Sequence, residues 1–451
     1  MDKLKTLQRY GLFDAKVPRY TSYPPANRFR VGAGQAHQDT WLRALDPDKP
    51  VSLYIHIPFC RRLCWFCACR TQGTKTMRPV DDYLTAVLKE IATVAATAPQ
   101  GLKMERLHLG GGTPTLLTGA QMARLLGAVH AAFGATRTFE FSVEIDPTEG
   151  SDEVLNVLAK WGLGRASIGV QDFAPKVQDA IGRLQSSEET ERVISQLRAD
   201  GIHSLNIDLL YGLPHQTGQT LLSTLDKVAA LRPDRLALYG YAHVPHVSKR
   251  QVMIDENALP DPQDRFRLAQ LAADHLRPRG YESLGIDHFA LPHDSLTKAK
   301  TRGRMKRNFQ GYNDDPCDTL IGFGASAISQ FPGGYVQNAV ATMAYRNQIG
   351  ARGLAGHKGY VMSETDKLIS HLIESLMCNG CIAIADVRQR FPSADQRIND
   401  CLLRLRWQYA DALKQVGDTL TLDPNLFELA RLISAELDDG LRKDHIHSLA
   451  V

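Results

Sequence analysis

The chain has 451 residues, of which 43% are hydrophobic and 23% charged, and its formal net charge is +4. That length exceeds one average domain and points to a large catalytic domain with a smaller companion. The near-balanced charge gives no case for a nucleic-acid partner and suits an anionic substrate only weakly, while the lack of an apolar leader after Met1 and of any membrane-length apolar run points to a cytoplasmic protein.

Residues 1–50 read as an irregular segment expected to pack on the main domain. From residue 51 short β-rich runs recur at 51–59, 105–110, 138–145, 165–171, 204–211 and 235–241. Helical stripes separate them, as at Leu84, Val87, Leu88 and Ile91, then at Met122, Leu125, Leu126 and Val129. Six strand–helix units with right-handed crossovers predict an α/β domain with a parallel sheet. Six are too few for a closed eight-stranded barrel, so an open, partial (β/α)6 barrel is expected over 51–354, with its chemistry at the C-terminal strand ends. After about residue 355 helical stripes such as Leu368, Leu372, Ile373 and Leu376 take over, and 355–451 reads as a smaller, mostly helical domain with a small β-wing near 413–422.

Four of the eight cysteines fall between positions 60 and 69. Clustering of this kind indicates metal or redox chemistry rather than a disulfide framework. Cys60, Cys64 and Cys67 are spaced C-x3-C-x2-C directly after the first strand. Three thiolates from one loop can grip three irons of a [4Fe–4S] cluster and leave the fourth open. A zinc site would want four closed ligands, for which only Cys69 is at hand. Further along, Gly110-Gly111-Gly112-Thr113-Pro114 ends the second strand and permits close backbone approach to a ligand, although a plain tight turn reads equally well. Glu144 and Asp146 end the third strand, Gln171 ends the fourth, and Arg183 follows it. Asp208 lies on the fifth strand, where a buried carboxylate needs a partner, and Tyr241-Ala242-His243 ends the sixth.

The cysteine spacing at the end of the first strand resembles the radical S-adenosylmethionine (SAM) superfamily. In that superfamily the open iron binds SAM, and one-electron reduction cleaves it to methionine and a 5′-deoxyadenosyl radical. Several segments narrow the resemblance to the oxygen-independent coproporphyrinogen III oxidases: Pro18-Arg19-Tyr20-Thr21-Ser22-Tyr23-Pro24, Tyr54 to Cys60, the extra Cys69, Asp287-His288-Phe289-Ala290, Arg307 to Tyr312 and Gly324 to Ser329. The resemblance implies one cluster held by Cys60, Cys64 and Cys67, with Cys69 not a ligand, and two SAM molecules. Tyr54, Gly111, Glu144 and Ile328 would contact the cluster-bound SAM. Phe66, Gly112, Thr113, Gln171, Arg183, Asp208 and Ala242 would contact the second.

The implied reaction is oxidative decarboxylation of two propionates of coproporphyrinogen III to vinyl groups in heme biosynthesis. It is expected of a monomer served by an electron donor and an electron acceptor that the sequence does not identify. Arg19 and Arg307 are candidate partners for substrate carboxylates. The C-terminal part, expected to cover the substrate, departs from the family pattern. Ser370 lies where an arginine-containing segment is usual, and Leu376-Met377-Cys378 is followed by Gly380-Cys381 rather than an acidic residue. Cys378 and Cys381 read as core-facing helix cysteines rather than a second metal site. The alternative is a heme-binding chaperone of the same family without dehydrogenase activity, against which Cys69 and the Arg19–Pro24 lead-in argue.

Overall fold

The computed structural model describes residues 3–441 and residue 450. The six expected strands are β1 (Val51–Ile57), β2 (Lys103–Gly111), β3 (Gly134–Ile145), β4 (Leu163–Gln171), β5 (Ser204–Tyr211) and β6 (Arg235–Gly240). They pair in parallel and in chain order. Between them run α1 (Arg78–Thr97), α2 (Gly119–Ala132), α3 (Asp152–Lys160), α4 (Ser187–Ala199) and α5 (Gly218–Ala230), with α6 (Pro262–Leu276) after β6. Three of these helices start on reciprocal caps, Thr118 with Gln121, Ser186 with Glu189 and Thr217 with Thr220, which satisfy otherwise orphaned amide donors.

Strand alternation separates two environments. Leu53, Ile55, Leu107, Leu109, Val143, Ile168, Ile207 and Leu236 face the helices and are almost fully buried in the principal core. The alternate residues Ser52, His108, Ser142, Glu144, Ser167, Asn206 and Asp208 line a cavity inside the sheet. A parallel barrel is ordinarily filled by branched apolar side chains, so a polar lumen marks where this fold receives something other than itself.

The sheet is larger than the sequence suggests. After β7 (Glu282–Leu284), β8 (His288–Ala290) and the hairpin of β9 (Lys306–Asn308) and β10 (Gly311–Asn313) comes β11 (Leu320–Phe323). It lies parallel to β1, with Gly322 opposite Tyr54. Antiparallel β12 (Ile328–Phe331), β13 (Gly334–Asn338) and β14 (Gly356–Val361) extend that edge, while β8 and β7 extend the other, and with Arg30–Val31 the open sheet has thirteen strands. Helix α7 (Thr342–Arg352) connects β13 to β14, so the sheet runs past residue 354 and the helical part begins only at α8 (Glu364–Asn379).

That part holds α9 (Ile384–Arg390), α10 (Asp395–Gln408) and α11 (Ala430–Ala435), with a three-stranded wing of β15 (Cys381–Ala383), β16 (Leu413–Val416) and β17 (Thr419–Leu422). The N-terminal segment divides its contacts. Helix Ala33–Arg43 packs on the β13–β14 edge, where the Gly356 amide donates to Gln38 Oε1 at 2.8 Å. Leu7, Leu12, Phe13, Val17, Tyr20 and Tyr23 instead join the core of the C-terminal part. The first half of 1–50 thus adds the second core to its barrel contacts, which it keeps through Arg19 on the Gly240 carbonyl and Phe13 against Phe266: an apolar run this dense goes where a second core is available. Among the described residues no helix is long and apolar enough to cross a membrane.

Gly34 makes the helix–sheet approach possible, because a Cβ there would lie 2.2 Å from the Lys358 carbonyl oxygen. Gly34→Ala is expected to cost about 1–3 kcal/mol, since backbone rather than a flexible side chain must yield. A lowered thermal unfolding midpoint would register this, and an unchanged one would contradict the packing.

Candidate functional site

The thiol loop leaves β1 through the two-residue strand Phe59–Cys60, which pairs with Gln72–Gly73 at the loop's far end. The loop's neck is thereby closed by backbone bonds, including Thr74 amide to Cys60 carbonyl at 3.0 Å. Gly112 and Thr113, past the end of β2, donate their amides to the carbonyls of Ile57 and Phe59 at 2.8 and 2.9 Å. A Cβ on Gly112 would sit 2.6 Å from the Phe59 carbonyl oxygen and 3.0 Å from Cys60 Sγ. Glycine is required there by close approach to the loop.

Polar groups flank the sulfurs. Thr113 Oγ1 lies 3.5 Å from Cys60 Sγ, and Arg183 Nη1 lies 3.5 Å from Cys64 Sγ. Cys69 is hydrogen-bonded to Cys67 and pushes the Cys67 thiol down, toward the thiolate. Burial pushes Cys60 up to about 11, so its ionised form needs a cation's help. Three thiols on one loop, with an arginine and a hydroxyl beside two of them, suit a cluster ligated by thiolates, and the residues fit the group. Cys69 is placed as a hydrogen-bond partner of Cys67, which the spacing alone does not reveal.

Arg183 is almost fully buried yet far from unpaired. It reaches Asp146 Oδ2 at 3.0 Å, the Gly169 carbonyl at 2.7 Å and Gln185 Oε1 at 2.9 Å. Burial acts against its charge, but Asp146 and Cys64 outweigh that and raise its pKa. Gln171 takes a left-handed backbone, φ +69°, at a register shift between β4 and β5, which turns the chain out of the sheet toward Arg183.

Across the sheet, Glu144 Oε2 accepts from the Gly111 amide at 3.0 Å, and His108 Nε2 stands 3.4 Å from Oε1. Burial would push Glu144 up, but His108, the Gly111 amide and His56 hold it below the usual carboxylate range. Tyr54 stacks on His108 and bonds His56 Nδ1 at 2.9 Å, while His56 Nε2 donates to the Arg70 carbonyl at 3.0 Å. His56, which sequence reasoning did not single out, thus joins β1 to the thiol loop. Asp208 accepts from Ser167 Oγ and Asn206 Nδ2 at 2.9 and 2.8 Å, and burial raises it.

Gln251, also unforeseen, donates Nε2 to the carbonyls of Phe66 and Ala242 at 2.7 and 3.1 Å, so one amide gathers the loop and the end of β6. Phe66 packs against an apolar cluster that includes Val177, Ile181 and Leu213. Ile328 opens β12, where Gly322 of β11 lies under its carbonyl. The structure thus gathers Tyr54, Gly111 and Glu144 on one side, and Gly112, Thr113 and Arg183 around the thiols, with Gln171 beside Arg183 at Gly169.

The other candidates are more enclosed. The Arg307 side chain is only 3% exposed, with its guanidinium 3.6 Å from Asp287 and over the Tyr312 ring. Arg19 Nη2 donates to the Gly240 carbonyl at 2.8 Å and lines a cavity of about 340 Å³ between the β5–β6 ends and the C-terminal part. Cys378 is buried at the end of α8, and Cys381 starts β15; both are free thiols. Gly380 between them has φ +67° and caps α8, which accounts for glycine at that departure from the family pattern.

A cysteine loop with thiolate-stabilising neighbours, set over the C-terminal end of a parallel sheet, defines a radical SAM enzyme. Residues 54–228 match the Radical SAM superfamily. The chain belongs, within it, to the oxygen-independent coproporphyrinogen III oxidase family. It is 45% identical over 451 residues to an oxygen-independent coproporphyrinogen III oxidase of Paracoccus denitrificans, covering 100% of both chains. It is 50% identical to one from Cereibacter sphaeroides, covering 87% of each. The solved structure of the coproporphyrinogen III oxidase of Escherichia coli superposes with a TM-score of 0.90 at 35% identity, over 95% of this chain and 100% of the other. Membership implies a [4Fe–4S] cluster and SAM as cofactors.

One buried carboxylate supports this site from behind. Glu90 on α1 accepts from the Gly324 amide, the Tyr345 hydroxyl and Asn338 Nδ2 at 2.8, 2.6 and 2.7 Å. Burial pushes it up to about 7, against the hydrogen bonds. Because its folded pKa lies above the unfolded value, its contribution to stability is full at low pH and is lost as pH rises through about 7. Wild type should therefore lose unfolding free energy relative to Glu90→Gln between about pH 4.5 and 7. Denaturant titrations that run parallel over that window would contradict it.

Proposed function

We propose that this chain oxidises coproporphyrinogen III without oxygen, converting two propionates to vinyl groups and giving protoporphyrinogen IX in heme biosynthesis. The observation that carries the reading is the convergence of the thiol loop, the Gly111–Glu144 pair and Arg183 above the strand ends. Each propionate loses CO2, a hydrogen atom and one electron. Its β-carbon has no acidic proton at neutral pH, so a base among these side chains could not start the reaction. When bound, the cluster and SAM supply a carbon radical, made by one-electron reduction, that takes such a hydrogen.

The chain's own residues bind and orient. Cys60, Cys64 and Cys67 would hold three irons, with Arg183 and Thr113 favouring the thiolate form. Glu144 is kept ionised and would receive the ammonium group of the cluster-bound SAM, beside Tyr54, Gly111 and Ile328. Phe66, Gly112, Thr113, Gln171, Arg183, Asp208 and Ala242 would line the place of a second SAM, where Asp208, fixed by two donors, keeps lone pairs for a hydroxyl. Arg19, facing the cavity beside the C-terminal part, is the better candidate for a substrate carboxylate, because Arg307 is already balanced by Asp287. The division of labour we favour places the catalytic domain at 51–361 and the substrate-covering part after it. An electron donor and an electron acceptor are required from outside.

Anaerobic incubation of reconstituted protein with SAM, dithionite, an electron acceptor and coproporphyrinogen III should give protoporphyrin on oxidation, in step with 5′-deoxyadenosine. Deoxyadenosine without protoporphyrin would overturn the substrate. Separately, alanine at Cys60, Cys64 or Cys67 should abolish the brown chromophore and lower the rate by more than about 100-fold. Cys69→Ala should retain the chromophore, and a colourless C69A protein would show that Cys69 is a ligand.

A further inference from the structure

The lumen has a second polar wall, away from the thiol loop. β8 lies antiparallel to β6 with His288 opposite Ala237, and Ala237 is opposite Asp208 of β5, so His288 stands at the depth of Asp208. Alternation along β8 sends Phe289 into the principal core and His288 to the other face. There its ring is perpendicular to those of Tyr239 and Tyr312, and all three residues line the lumen. His288 also borders the cavity beside the C-terminal part. Asp287 Oδ1 lies 2.6 Å from His288 Nδ1, and the Arg307 guanidinium lies 3.6 Å from Oδ2 of the same carboxylate. Burial opposes ionisation of Asp287, but Arg307 and His288 outweigh it and hold the carboxyl down to about 2. An ionised carboxylate only accepts, so Nδ1–H donates to it and Nε2 is the ring atom left for a ligand.

Neither His288 Nε2 nor the Tyr239 hydroxyl has a hydrogen-bond partner among the described residues. Burial, with Asp287 and Asp208 nearby, pushes the Tyr239 hydroxyl well above its ordinary value, so it keeps its proton to donate. The two groups converge. A Cβ on Gly311 would lie 3.2 Å from the Tyr239 hydroxyl oxygen and 3.6 Å from His288 Nε2, and glycine leaves that point open. The facing carboxylates, Glu144 and Asp208, are the ones assigned to SAM, itself a cation. Deeper charges are answered, Arg106 by Glu140 at 3.0 Å and Arg235 by Asp294 at 2.6 Å, with Asp314 3.8 Å from Arg106 and Asp315 accepting from Ser52. Glu374 meets the Arg307 amide at 3.4 Å, and burial raises it toward its neutral form. An imidazolium at His288 gives Arg307, Asp287 and His288 one net positive charge, which a single carboxylate cancels.

We propose that Tyr239 and His288 hold the carboxylate of the propionate that is being oxidised. The inference rests on the reaction proposed above and names a subsite for its substrate. In the step the β-hydrogen passes as an atom to the 5′-deoxyadenosyl radical, the bond to the carboxyl carbon breaks, CO2 leaves and one electron goes to the external acceptor. The vinyl group left behind carries no charge for the pair to hold. That side of the macrocycle leaves the subsite and the second propionate takes its place, so one subsite serves both decarboxylations in turn.

The test compares reconstituted wild type with Tyr239→Phe, which removes a single hydroxyl, and with His288→Gln. Anaerobic calorimetry measures affinity for coproporphyrinogen III and, separately, for SAM, and chromatography follows protoporphyrin. His288→Gln should weaken coproporphyrinogen binding about 30-fold and Tyr239→Phe about fivefold, with KM raised to match and SAM affinity within about twofold of wild type. Coproporphyrinogen affinity unchanged in both variants would overturn the subsite and leave the reaction standing. An equal loss of SAM affinity would assign the effect to the fold and overturn the subsite as well. A wild type that binds coproporphyrinogen and makes no protoporphyrin would sink the reaction and the subsite together.

Discussion

Strand β1 is hydrogen-bonded on both edges, in parallel with β2 on one side and β11 on the other, and the position of the thiol loop follows from that pairing. A strand held on both sides cannot slip by one residue without turning Leu53, Ile55 and Ile57 into the lumen and Tyr54 and His56 into the core. The point where Phe59 and Cys60 emerge is therefore fixed by burial on the far face. Tyr83 of α1 adds a tie at the same level. Its hydroxyl donates to the His56 carbonyl at 2.7 Å and accepts from the Ala325 amide at 2.8 Å. Glu90, two turns further along α1, holds Gly324. One helix thus binds the exits of β1 and β11 together, and both exits carry residues assigned to SAM.

The lumen is costly to build. Arg106, Arg165 and Arg235 stand at the N-terminal ends of their strands with Glu140, Asp294 and Asp314, paired at 3.0 Å for Arg106–Glu140 and 2.6 Å for Arg235–Asp294. Buried ion pairs rarely stabilise a fold relative to apolar packing, so this layer is not explained by stability. Its geometry offers another reason. It fills the N-terminal end of the lumen with groups paired in charge among themselves, and leaves Glu144 and Asp208, nearer the C-terminal end, with capacity for a ligand.

Much of this was legible in the sequence because periodicity and spacing carry it. The six strands, the helices between them and the cysteine loop each have a local signature. What was hidden depends on tertiary pairing. Leu320–Phe323 is a four-residue apolar run that any buried segment might show, and only its place beside β1 makes it a barrel strand. Gly356–Val361 reads as a polar, glycine-containing stretch, and the sheet edge makes it a strand. Residues 7–23 face the C-terminal core as well as the barrel, and the sequence cannot show the second neighbour because an apolar pattern says that a segment is buried and not against what. At the site, His56 and Gln251 act through backbone carbonyls of Arg70, Phe66 and Ala242, and such partners leave no trace in residue type.

The two kinds of site residue differ in what their surroundings ask of them. Cys60, Cys64, Cys67, Gly112 and Gly111 are fixed by their own chemistry or size, and a motif can find them. Arg183, Glu144 and Asp208 are charged groups in enclosed positions, and each is tolerated only because specific partners answer it: Asp146 and Cys64 for the first, His108 and the Gly111 amide for the second, Ser167 and Asn206 for the third. His108 and Gly111 for Glu144, and Ser167 for Asp208, lie on neighbouring strands, so the parallel sheet supplies them by register, whereas Arg183 is answered from the thiol loop and the end of β3. The departures in the C-terminal part fall outside that frame. Gly380 and Cys381 sit at a helix cap and a wing strand, where backbone geometry and not the cysteine loop decides the residue.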